Sequence, residues 1–171
     1  TMFISLYPSF MQYMGGTFKV MMPLYALVFV GTTFLTIAYY YSWDRMAAPG
    51  SKWVHLSIGV LAVVFGTSLL LLANAWSAFM MAPSGVDGQG RYLGNPWHLL
   101  RSALWNPLNL HRFLADIMSG GAVVLAYACY RFFSGKSQEE RAYYDWVGYV
   151  FLFVTVCALL PMPFAGYWLM R

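Results

Sequence analysis

The stretch NPLNLHRFLADIMSGGAVVLAYACYRFF, residues 106–133, sets three ionisable side chains at the head of a long apolar run. His111, Arg112 and Asp116 all fall within about three helical turns of the turn dipeptide Asn106-Pro107. Charge is expensive in such a place, and an ionisable group inside a membrane segment marks a functional site by default. A neutral imidazole near the end of a membrane helix can offer its lone pair to haem iron. Arg112 beside it can pair with a haem propionate at the same interface. Asp116 follows Arg112 by four residues, so the two share a helix face and can neutralise each other. His111 is therefore the candidate iron ligand, with Arg112 and Asp116 in support. An interfacial histidine beside a structural ion pair is the other reading of the same residues.

Further along the run, Ser119, Gly120 and Gly121 present almost no side chain. Small residues let a second helix, or a flat cofactor, come close to the backbone. Gly120 is the candidate cofactor contact. Asn74, in LLLANAW, is polar at depth in another apolar run. It is expected to hydrogen-bond across to a neighbouring helix and joins the cofactor-binding candidates. His55 and His98 lie near span ends or in a connector, where a wet interfacial role is expected of each. Cys129 and Cys157 both fall in apolar runs and read as packing residues rather than a disulfide or a metal site.

These residues are positioned by membrane-spanning helices. Hydrophobic residues make up 60% of the 171, aromatic residues 19% and charged residues 9%. A soluble domain carries about 25% charged residues, so the deficit points to a lipid bilayer. Four segments reach the roughly 20 apolar residues that a crossing needs: 20–41, 54–80, 108–133 and 144–170. The connectors between them carry Gly, Pro and Ser, which is turn chemistry. In the long second connector, PWHLLRSALW reads as a short interfacial helix with Leu99, Leu100, Ala103 and Leu104 on one face. Pro161 and Pro163 are expected to kink the fourth span. The fold class that follows is an all-α integral membrane bundle of four transmembrane helices, forming one membrane domain over residues 1–171 that is itself part of a longer polypeptide.

Arg45 and Lys52 lie in the first connector, and Arg131, Lys136 and Arg141 around the third. The much longer second connector holds Arg91 and Arg101. By density of basic residues, the first and third connectors face the cytoplasm, and the second lies outside with both termini. The spans have no Glu or Lys in their interior and no pair of histidines one helical period apart. That disfavours a transporter or proton pump. No nucleotide-binding loop, no metal-binding cysteine spacing and no cationic cluster suited to nucleic acid appears.

The motifs TTFLTIAYYYSWDR, LLLANAW followed by PSG, NPLNLHRF followed by SGG, and FAGYWLM occur in an order that resembles subunit I of cytochrome bd-type quinol oxidases. The resemblance runs from about Tyr7 to Arg171 and equates the four spans with the third to sixth helices of that subunit. It implies b-type haem and quinol as cofactor and substrate, and other membrane subunits of a respiratory complex, a cytochrome among them, as partners. A prokaryotic inner membrane is the implied location. The sequence also departs from the family pattern. The family carries two glutamates in the helix before W-D-R, where this chain has no carboxylate around Pro23 and Gly31. The axial histidine of the family's low-spin haem falls at Ala115, and His111 stands one helical turn earlier. The family's first haem-ligating histidine is expected before the start of this chain, its quinol loop after Arg171, and its later axial methionine is not matched among these residues.

Two functions compete. One is an electron-transfer subunit that holds b-type haem, faces quinol and does not reduce oxygen on its own. The other is a haem-free structural anchor that docks cytochrome or catalytic partners.

Overall fold

A computed structural model describes residues 6–44 and 50–170. Arg45, which enters the charge-density argument and completes the SWDR turn, lies outside the described residues, as does Arg171. Among the described residues six α-helices follow in order: α1 Pro8–Thr17, α2 Met21–Ser42, α3 Lys52–Met81, α4 Trp105–Ser134, α5 Gln138–Leu159 and α6 Met162–Leu169. Four helical stretches are long and apolar enough to cross a membrane: α2, α3, α4, and α5 with α6. Each expected span is found, and the last three begin earlier than hydropathy alone suggests. The fourth starts at Gln138 because the Ser137 side chain accepts a hydrogen bond from the Glu140 amide at 3.1 Å, with Glu139 and Glu140 in the first turn. Both features satisfy the unpaired amides and positive pole of a helix N-terminus. The chain divides into two compact units, Thr1–Trp105 and Asn106–Arg171.

In the first unit, α2 and α3 pack antiparallel by putting a ring into a glycine notch at two levels. A Cβ on Gly31 would lie 2.6 Å from the Phe65 ring, and one on Gly59 would lie 2.8 Å from Tyr39. Any larger residue at either position would push the helices apart. Thr32, Thr33 and Thr36 each donate to the carbonyl four residues back, at 2.8, 2.9 and 2.8 Å. Their hydroxyls are thus satisfied within their own helix, as lipid demands.

Sequence reading missed α1. Its ten residues are too short to span, but Pro8 in its first turn favours helix initiation there. The helix seats Met14 against the connector end of α3, where Phe18, Met21, Ala75, Phe79 and Leu99 complete a buried core. The 3-10 turn Pro96–Arg101 covers this core, and Trp105 pins it from the other side by donating its indole Nε1–H to the Leu71 carbonyl at 3.0 Å. The expected interfacial helix is therefore shorter and tighter than its sequence suggested. Asn95 caps it by accepting from the Trp97 amide at 3.0 Å, and the backbone turns extended at Ser102 before Ala103 can join. Upstream, Asp87 Oδ1 accepts from the Gln89 and Arg91 amides at 2.9 and 2.7 Å. Gly90, at φ +79°, makes the left-handed step that closes this loop.

In the second unit, α4 and α5 meet at Gly121, where a Cβ would come within 2.5 Å of Thr155 Oγ1. At their connector, Arg131 forms an ion pair with Glu140 and lies 5.2 Å from the centre of the Tyr144 ring. The expected kink falls between two helices whose linking residues, Leu160 and Pro161, keep αR backbone angles. Helix α5 stops at Leu159, and α6 restarts at Met162 after Pro161.

The orientation given by charge density has a direct test. Cysteines introduced as Gly50→Cys and Gly88→Cys, in an otherwise cysteine-free chain, should react with an impermeant thiol reagent from opposite faces of sealed membranes. Labelling of both from one face would overturn the topology.

Candidate functional site

His111 lies two turns into α4, half-buried. Its ring rests against α6 at Gly166, where a Cβ would sit 3.4 Å from Cε1 and 3.5 Å from Nδ1. Glycine at this position lets the imidazole approach the α6 backbone. The Nδ1 atom is buried and has no hydrogen-bond partner among the described residues. A buried polar atom without a partner costs about 1–3 kcal/mol, so this histidine is not a satisfied structural residue. Beside the ring runs an apolar groove of about 450 Å³, lined by His111 with Met162, Pro163, Gly166, Tyr167 and Met170 among others.

The other candidates are distributed round α4 and beyond it. At about 100° per residue, Arg112 and Asp116 lie roughly 100° and 140° round the helix from His111, on a shared face. Arg112 is half-buried and Asp116 exposed. Gly120 lies about 180° from His111, is exposed, and would have open space around a Cβ. It is the neighbouring Gly121 that receives the facing helix. Asn74 is fully buried, but in the first unit, on α3 beside Ala75. The second unit thus brings His111 together with Met162 and Gly166 of α6. Gly120 is on the opposite side of α4. Sequence reading missed the α6 residues, although Met162, Gly166 and Met170 are spaced by four, the repeat of one helix face.

His55 stacks on Tyr39 with ring centres 4.2 Å apart and meets Trp43 edge-on at 5.2 Å. Its Nδ1 lies 2.9 Å from Ser42 Oγ, which also reaches the Tyr39 carbonyl at 3.1 Å. This cluster ties the end of α2 to the start of α3 through the ring and Nδ1 of His55, while its Nε2 is buried with no hydrogen-bond partner among the described residues. Cys129 and Cys157 are free thiols, both exposed.

The profile of the cytochrome bd terminal oxidase subunit I family matches residues 1–170. The chain belongs to this family. Subunit I of a cytochrome bd terminal oxidase is a membrane subunit of a respiratory oxidase complex, in keeping with the four long apolar helices. No curated protein and no solved structure matches the chain.

Proposed function

We propose that this chain is an electron-transfer subunit that holds a b-type haem on the His111 face of α4, close to where quinol is oxidised. The carrying observation is the unpartnered Nδ1 of His111, buried beside an apolar groove. The residues present fit the group. A neutral imidazole can supply a lone pair to iron, and the groove offers a flat macrocycle an apolar surface. Arg112 follows His111 on α4, and its long side chain can carry its guanidinium to a propionate. Asp116, one turn further in, balances Arg112. When bound, haem supplies one-electron chemistry between quinol and a partner subunit. Asn74 and Gly120 would then serve packing or a second cofactor surface. The reading includes other membrane subunits as partners and a prokaryotic cytoplasmic membrane as the location.

A pyridine haemochrome spectrum of the purified complex tests this directly. A b-type haem assigned to this subunit supports the reading, and its absence favours the haem-free structural anchor. A preparation holding only this chain is expected to consume no oxygen above background. The reason is that the α2 region around Pro23 and Gly31 offers no carboxylate for an oxygen-reducing centre. Catalytic uptake at an oxygen electrode would refute that expectation.

A further inference from the structure

We propose that the cleft between α1 and the connector after α3 binds a phospholipid headgroup ending in a primary ammonium, with Asp87 holding the ammonium and Arg91 the phosphate. The inference is independent of haem and quinol. The cleft holds about 460 Å³ and lies wholly in the first unit, lined by Phe10, Tyr13, Phe79, Met80, Asp87 and Gly90 among others. Asp87 is the charged residue of this lining. Its carboxylate is fixed before any ligand arrives. Oδ1 accepts the Gln89 and Arg91 amides, and the Asp87 amide donates to the Arg91 carbonyl at 2.9 Å. One step further out, Val86 pairs with Tyr92, and the Leu93 amide donates to the Gly85 carbonyl at 2.9 Å. Both loop bonds on the carboxylate fall on one oxygen, so Oδ2 is left to accept from a ligand.

A carboxylate oxygen beside aromatic rings suits an organic cation. The rings attract the positive charge, and the oxygen takes an N–H bond. A quaternary ammonium has no N–H to give, so the second interaction selects a primary one. Arg91 stands on the same loop with its side chain exposed, in reach of the phosphate that adjoins such an ammonium. The surroundings favour lipid over a lysine of a protein partner. Met80 and Met81 are exposed at the connector end of α3, so the apolar wall continues along a membrane-spanning helix where an acyl chain can follow. Leu93 and Trp97 of the connector are exposed too, the pattern of a segment lying in the lipid–water interface.

The test uses the intact complex, stripped of lipid by prolonged detergent washing and titrated with dioleoyl phosphatidylethanolamine or dioleoyl phosphatidylcholine. Native mass spectrometry reads the lipid carried by this subunit. The wild type should bind the ethanolamine lipid about tenfold more tightly than the choline lipid. Asp87→Asn keeps an Oδ1 for the two loop amides and removes the charge, so it should abolish that preference. Arg91→Gln should weaken both lipids alike, since the phosphate is common to them. Equal affinity of the wild type for the two lipids would overturn the assignment, as would a preference that survives Asp87→Asn. Full affinity in Arg91→Gln would overturn it too, because the phosphate would then lie elsewhere. Loss of a partner subunit from Asp87→Asn with the lipid preference intact would make the cleft a protein interface instead. Should Asp87→Asn fail to assemble, Phe10→Leu combined with Tyr13→Leu decides: loss of the preference supports the cleft, and its retention refutes it.

Discussion

Replacing His111 with alanine is expected to abolish the b-type signal of the haem held by this subunit while the complex still assembles. The side chain sits on one face of α4 and touches α6 at a glycine, so its removal leaves the Gly121–Thr155 contact and the Arg131–Glu140 ion pair in place. What disappears is the nitrogen lone pair. The orphaned Nδ1 disappears with it, so the fold gains back part of the cost of burying that atom. The reduced-minus-oxidised difference spectrum of the purified variant gives the answer, with partner subunits checked on a gel. A complex that assembles with its full b-type signal would make His111 an interfacial residue. The structural-anchor function would then be the better one.

The largest effect on stability is expected at Phe18. It is 1% exposed, with its ring centre 5.3 Å from Trp76 and 5.6 Å from Phe79, the latter edge-on. It joins α1 to the connector end of α3, so truncation opens a cavity in the buried core of the first unit. Phe18→Ala should cost about 3–5 kcal/mol. The unfolding midpoint of the detergent-solubilised complex should fall by on the order of 10 °C. Phe18→Leu keeps most of the volume and should lose about a third as much or less. An unchanged midpoint in the alanine variant would show that the α1 core does not hold the unit together.

How much of this could be read in advance differs by level. The four spans were legible because hydropathy over twenty residues is a strong signal, and the family was legible from short motifs in a fixed order. The interruption at Pro161 followed from proline chemistry. Helix α1 was hidden because it is short and carries Gly15-Gly16 near its end, a weak helical pattern by any count. The faces of α4 were harder still. A helix in lipid is apolar all round, so periodicity does not say which side meets protein. Gly120 and Gly121 are neighbours in sequence, yet only the second faces α5. The partner of His111 was equally obscure, because its place on α6 depends on where the chain breaks. Spacing alone could pair Arg112 with Asp116, but it could not bring Met162 to the imidazole.

The interruption between α5 and α6 also has a consequence for solvation. Pro161 and Pro163 have no amide hydrogen, so the carbonyls of Cys157 and Leu159 lack the donors a continuous helix would give them. Hydrocarbon cannot supply replacements, and a bare carbonyl facing acyl chains is not tolerated. A neighbouring helix, a polar side chain, an ordered water or a tightened turn has to supply donors at this level of the fourth span.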